Sequence, residues 1–329
     1  MSVTRSLVFA TDALEPLAGL TARAEAAGLR RVWTTELPGR DALTRAAYLA
    51  LRSSTIGVGT GIAYAFGRSP QALAAAAADT QILAGGRFVL GLGTGTRSLR
   101  ARWGVDFEPP ATRLAEVVGA VRAAWDADAL ASPPPVAGAG LSAAMLRTAG
   151  QVCDRVLLAP LCLLRAHLDD RALPAVAAGA ARRADAGPAI SAWCIASVDP
   201  DGDAARARAS GLIAFYLTRS DYAAVLGGTP WAPLAARLRA AIAPGAAPDW
   251  TALGALVPGE LADELAVAGT PAQAAAGAAR LERELATRGV GELVFQVPGL
   301  GLGAAAYDSA AGRVIAALGP RGGQSEPGD

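Results

Sequence analysis

Apolar residues in this chain fall into short runs bounded by glycine or polar residues, and the stretches between them place apolar positions at helical spacing. The runs predict strands at residues 6–10, 31–34, 55–61, 88–92, 136–139, 156–159, 190–198 and 292–297. Helices are predicted at 15–27, 42–51, 70–83, 114–125 and 143–149. The helix at 70–83 is the best punctuated, with Pro70 in its first turn and Gly85-Gly86 after its end. A mostly helical insertion, residues 203–267, separates the last two strands. Eight βα units in a chain of 329 residues predict one (β/α)8 TIM barrel over residues 1–318, with functional groups at the C-terminal ends of the strands. A doubly wound sheet shares the alternation but normally concentrates its glycine-rich turn near its start. Residues 319–329 are polar and rich in Gly and Pro, and are expected to be a disordered tail.

Two of these runs end alike. Residues 87–97 run from Arg87-Phe88-Val89-Leu90 into Gly91-Leu92-Gly93-Thr94-Gly95-Thr96-Arg97, and the strand before it ends at Gly59-Thr60-Gly61. Glycines let a ligand approach the backbone, and hydroxyls with an arginine suit an anionic group. Two consecutive strands with such ends predict one shared cofactor site, against the plainer role of glycine in a tight βα turn.

Composition narrows the function classes. The chain is 52% hydrophobic with a net charge of +1, so it has no electrostatic sign of nucleic-acid binding. All of its basic residues are arginine. Cys153, Cys162 and Cys194 form no Cys-x-x-Cys, so neither a disulfide framework nor a metal site is expected. No signal segment or membrane span is evident, and a cytoplasmic location is expected. His167 is the single histidine, in a segment that reads as the start of a surface helix. A Ser-His-Asp triad or a His-rich site is therefore disfavoured.

With those residues set out, the chain resembles the luciferase-like monooxygenase superfamily, in particular its branch dependent on the deazaflavin coenzyme F420. The resemblance is carried by Val32-Trp33-Thr34-Thr35-Glu36, by the run from Gly59 to Pro70, by Gly85-Gly86-Arg87-Phe88 leading into Thr94-Gly95-Thr96-Arg97, by Phe215-Tyr216 with Tyr222, and by Val267-Ala268-Gly269-Thr270-Pro271. It implies a flavin or deazaflavin ring across the strand ends, against a non-prolyl cis peptide at Gly61-Ile62. It further implies cofactor contacts at Tyr64, Thr94, Gly95, Thr96 and Arg97, a phosphate-facing turn at Ala139 and Gly140, and an acidic contact at Glu36. Without the resemblance, Glu36 is equally a salt-bridge partner for Arg40.

Sugar-phosphate-oxidising relatives have a histidine where this chain has Leu37 and a glutamate where it has Thr96, which argues against alcohol oxidation. Residues 126–135 are also short where relatives carry a longer excursion. The resulting expectation is an oxidoreductase that uses reduced F420 to deliver hydride to a C=C or C=N bond of a small-molecule substrate. Tyr64, nearest the cofactor loops, or Tyr216 would supply the proton. An FMN-dependent monooxygenase and a non-catalytic binding protein are the alternatives, and a homodimer stays open. Arg68 and Arg97 are placed to meet a phosphate or a polyglutamate tail, whereas Arg45 and Arg52 read as helix-surface charges. Tyr216 and Tyr222 are expected on one helix, packed in the core or against substrate. Trp33, Trp103 and Trp125 read as core, and the facing of Trp193 is undecided.

Overall fold

The computed structural model describes residues 2–105 and 109–320. The tail expected at 319–329 therefore lies almost wholly outside the described residues. Eight strands carry the architecture: β1 (Thr4–Phe9), β2 (Arg31–Thr34), β3 (Gly57–Thr60), β4 (Phe88–Gly93), β5 (Val136–Gly140), β6 (Arg155–Leu158), β7 (Ala189–Val198) and β8 (Glu292–Gln296). Each pairs in parallel with the next, and β8 pairs with β1 through Thr4 to Val8, so the sheet closes into the expected barrel.

The surrounding helices start where their first residues provide caps. Asp41 accepts from the Thr44 amide at 2.7 Å to begin Ala42–Leu51, and Ser69 accepts from Ala72 to begin Pro70–Leu83. Thr270 and Gln273 form a capping box at the start of Pro271–Ala286. The helix expected at 114–125 is longer, Pro110–Ala127, because proline is tolerated in a first turn.

The insertion needs one correction. Its last residues form a strand, Ala266–Gly269, parallel to the outer half of β7 at Ile195–Val198. β7 is long enough to pair with β8 through Ser191–Ile195 and then run past the barrel rim. Its exposed edge recruits a segment too short to show a period of its own.

Alternation along the strands divides the barrel interior into layers. The lowest is polar. The buried Glu292 carboxylate accepts from Ser6 (2.5 Å), Ser191 (2.6 Å), Arg155 (3.0 Å), Arg31 (3.3 Å) and the Trp33 indole (3.4 Å). Above it lies an apolar layer of Val8, Trp33, Val89, Ala137, Leu157, Trp193 and Val294, on which Ile62 and Ala139 pack. The larger core cluster lies outside this ring, between strands and helices. Trp33 and Trp125 are core residues as expected, and Trp193 faces inward.

Candidate active site

The loop after β3 lies directly on the apolar layer. Its Gly61–Ile62 peptide is cis. A Cβ on Gly61 would stand 2.5 Å from the Trp193 indole, so glycine is what lets the backbone rest on that ring. Gly93, at the end of β4, leaves the space that the Ile62 side chain occupies, since a Cβ there would fall 2.2 Å from Ile62 Cδ1. Ile62 remains partly exposed to the mouth.

Glu36 holds this loop from below. Its amide donates to the Ile62 carbonyl at 3.0 Å, and its buried carboxylate accepts from the Tyr64 amide at 2.7 Å. The same carboxylate receives both terminal nitrogens of Arg68, at 2.6 and 3.1 Å. Arg68 also pairs with Asp41. The ionic partner of Glu36 is thus Arg68 and not Arg40, which donates instead to the Asp12 and Gly39 carbonyls. The charge on Arg68 is matched within the chain and is not held open for a phosphate.

Tyr64 belongs to the same clamp. Its ring stacks on Phe66 at 5.3 Å and meets Trp103 edge-on at 5.4 Å. Trp103 is only partly buried, so it walls the rim rather than filling the core. The Tyr64 hydroxyl donates to the Glu36 carbonyl oxygen at 3.1 Å. Burial, then the neighbouring Glu36 charge, drive its pKa well above the ordinary phenol value. Tyr64 stands beside Gly95 of the loop after β4, as expected, but a buried phenol already donating to a carbonyl is poorly placed to release a proton.

The loop after β4 also satisfies its own polar groups. Gly95 takes φ +59°, and a Cβ there would crowd Leu99 at 3.0 Å and Tyr64 at 3.3 Å. Thr94 is buried beside the Met145 sulfur. Thr96 caps the short helix Arg97–Arg102 by accepting from Leu99 at 3.3 Å, and the Arg97 amide donates to Asp221 from the insertion at 2.9 Å. Arg100 is buried and ties the Thr94 and Gly95 carbonyls. The hydroxyl of Thr96 and the amide of Arg97 are therefore engaged. Ala139 and Gly140 are the last residues of β5 and not a turn; both are partly exposed, and the turn that follows holds Ser142, the cap of helix Ala143–Val152.

Two charge assignments change. His167 is buried, not on a surface, with Nε2 3.0 Å from the Leu141 carbonyl of the loop after β5. Burial lowers its pKa, against the raising effect of that hydrogen bond. Arg45 is buried too and donates to the Thr11 and Asp12 carbonyls, both at 2.7 Å. A period-based reading of a short helix does not register a neighbouring loop that folds over it.

Tyr216 reaches the mouth from helix Gly202–Thr218, while Tyr222 sits on the separate short helix Ser220–Ala223, their rings 4.9 Å apart. The extended conformation of Arg219 breaks what was expected as one helix. The Tyr216 hydroxyl lies 2.7 Å from Nε2 and 3.0 Å from Oε1 of Gln296. Gln296 is absent from the expected site. Its signal was available: Glu292, Val294 and Gln296 alternate on one strand, and the last stands at the C-terminal end.

The mouth thus offers a partly exposed apolar surface at Ile62 and Ala139, a wall of Tyr64, Phe66 and Trp103, and the Tyr216–Gln296 pair. Below the Gly61 backbone, the Trp193 indole N–H is buried without a partner among the described residues. This chemistry fits a flat, largely apolar ring with a few polar atoms at its edge. A cleft on the barrel flank is less suitable, because Arg165 and Arg288 along it are already paired with Glu284 and Asp169.

Comparison with known proteins agrees with this geometry. Residues 3–288 match the family model described as luciferase-like monooxygenase. The chain belongs to that family. An uncharacterized protein of Mycobacterium tuberculosis is 30% identical over 311 residues, covering 85% of this chain and 88% of its own. The 5,10-methylenetetrahydromethanopterin reductase of Methanolobus tindarius is 28% identical over 286 residues, covering 79% and 85%. Among solved structures, the coenzyme F420-dependent tetrahydromethanopterin reductase of Methanopyrus kandleri superposes with a TM-score of 0.75 at 20% identity, covering 96% of this chain and 98% of its own. That last likeness is one of fold. No helix among the described residues is long and apolar enough to cross a membrane.

Proposed function

We propose that this luciferase-like protein is an F420-dependent reductase acting on a C=C or C=N bond of a small molecule. The observation that carries the reading is the mouth itself: Ile62, presented by the Glu36 clamp over the Trp33–Trp193 layer, with a polar pair standing beside an otherwise apolar surface. Its sequence likeness to a methylenetetrahydromethanopterin reductase favours hydride chemistry over oxygenation.

Ile62 and Ala139 would bear one face of the ring, and Gly95 with Thr94 would lie at its edge. When bound, the reduced deazaflavin supplies hydride, so the protein need only bind, orient and provide a proton. Tyr64, Phe66 and Trp103 exclude water from the rim. By the resemblance, Leu37 and Thr96 stand where sugar-phosphate-oxidising relatives have acid–base residues, and the lack of such groups here agrees with reduction. An anionic tail would not be met by the Arg97 amide, which Asp221 already holds.

Parallel absorbance titrations with F420 and with FMN test the proposal, followed by oxidation of reduced F420 in the presence of 2-cyclohexen-1-one and 1-pyrroline. Tighter binding of F420 is expected. Equal affinities, or tighter FMN binding with oxygen uptake, would instead support the monooxygenase reading that the family description carries.

A further inference from the structure

The two tyrosines of the mouth differ in what their oxygens touch. The Tyr64 hydroxyl faces a backbone carbonyl, which only accepts, so its proton is committed. The Tyr216 oxygen faces a side-chain amide, which can give or receive. It accepts from the amide nitrogen at 2.7 Å, the shorter contact, and its own hydroxyl donates to the amide oxygen at 3.0 Å, the longer one. Gln296 is 5% exposed, and its side chain makes no other hydrogen bond among the described residues, whereas Tyr216 is partly exposed. A phenol oxygen held by an N–H at the shorter contact carries a proton that can leave its longer contact to the amide oxygen for an acceptor in the mouth.

We propose that Gln296 is a positioning residue: by donating from Nε2 to the Tyr216 oxygen, it holds the phenol where its proton can pass from the amide oxygen to an acceptor in the mouth, and makes Tyr216 the proton donor of the reduction. The assignment rests on the hydride-transfer reading above. Reduced deazaflavin, when bound, would supply hydride to one atom of the C=C or C=N, while the Tyr216 O–H bond would break and its proton would bond to the other. The electron pair stays on the phenolate oxygen, where the Gln296 N–H stabilises it until solvent returns a proton. Burial, with the nearby Tyr222, raises the pKa of the phenol, and the Gln296 hydrogen bond opposes that rise. Tyr216 therefore stays protonated at neutral pH, with its one lowering influence placed where negative charge would develop.

Gln296→Glu and Gln296→Met separate this role from packing. Glutamate keeps the size and a hydrogen bond but reverses its direction, because a carboxylate only accepts and draws the phenol proton to itself. Methionine keeps the size and leaves the proton free but removes the donor. With reduced F420 and the probe that wild type reduces faster, the expected order is wild type, then Gln296→Met at about tenfold loss, then Gln296→Glu and Tyr216→Phe at about 10²-fold or more. A purely structural role predicts the opposite order of the two Gln296 variants, and finding it overturns the proposal.

A second readout needs no substrate. In protein labelled at the tyrosine ζ-carbon and the glutamine side-chain nitrogen, Tyr216→Phe should shift the Gln296 Nε2–H resonances, and Gln296→Met should shift the Tyr216 ζ-carbon as an accepted hydrogen bond is lost. Unmoved Gln296 amide protons overturn the assignment even if neither probe is reduced. Titration of wild type with F420 keeps the two failures apart: absent binding defeats the reductase reading, while the resonances still judge the pair.

Discussion

The two ends of the barrel interior are built on the same strands and solve opposite problems. At the N-terminal end, Ser6, Arg31, Arg155 and Ser191 converge on Glu292 and fill its hydrogen-bonding capacity. At the C-terminal end the inward residues are small or apolar, and beside the Glu36–Arg68 clamp stands the smaller pair of Tyr216 with Gln296. Burial pushes the Glu292 pKa up, yet the Arg31 and Arg155 charges and the two serine hydroxyls hold it below the ordinary carboxylate value. A carboxylate so fully engaged specifies and stabilises; a site needs groups with capacity left over. One strand, β8, supplies both ends through residues four apart, Glu292 and Gln296.

Removing the keystone of the lower end should show the largest effect on stability. Glu292→Ala leaves Arg31 and Arg155 without their carboxylate and should cost about 3–5 kcal/mol, measured by urea denaturation. Cofactor affinity under folding conditions should hardly change. A variant of wild-type stability would show that the lower network is not structural. Because the folded pKa of Glu292 is depressed, its contribution is complete above the unfolded carboxylate value near 4.3 and is lost as pH falls through the lower folded value. Wild type should therefore lose stability in that acid range more steeply than Glu292→Gln does.

Glu36→Gln tests the clamp at the upper end. It weakens the ion pair to Arg68 but keeps an acceptor for the Tyr64 amide, so a loss of about 1–3 kcal/mol in stability is expected. Cofactor affinity should weaken more than turnover at saturating cofactor. A large fall in turnover with unchanged affinity would make Glu36 an acid or base and blur the contrast between the ends.

His167→Ala has a smaller predicted cost, about 1–2 kcal/mol, from the lost contact to the Leu141 carbonyl. The folded pKa of His167 is lowered, so stability should decline as pH falls from the unfolded imidazole value near 6.5 through the folded one, and the variant should lack that slope. The pH profile of turnover should contain no limb that His167→Ala removes. Tyr64→Phe should have the smallest effect: with its hydroxyl on the Glu36 carbonyl, it should cost about 0.5–1.5 kcal/mol of stability and lower turnover far less than Tyr216→Phe. Equal losses of turnover in the two variants would return Tyr64 to the role of donor.

Local sequence was enough for what depends on local order. Period-two and period-3.6 patterns, caps and glycines are read by the backbone over a few residues, so Arg31–Thr34, Ala42–Leu51 and Pro70–Leu83 coincide with their predicted bounds and all eight barrel strands are present. The likeness of its loops to a known family also located the cis peptide at Gly61–Ile62. Partner choice was a different matter. Glu36 bonds Arg68, 32 positions away, rather than Arg40, and Arg45 and His167 are covered by loops that no helical period reports. Tyr216 and Gln296 meet across 80 positions only because barrel closure sets β8 beside β7 and the insertion folds back over the rim. Hydrogen bonds are made in space, and the chain order that fixes a strand or a helix carries no record of which distant atom will satisfy a given donor once the barrel closes.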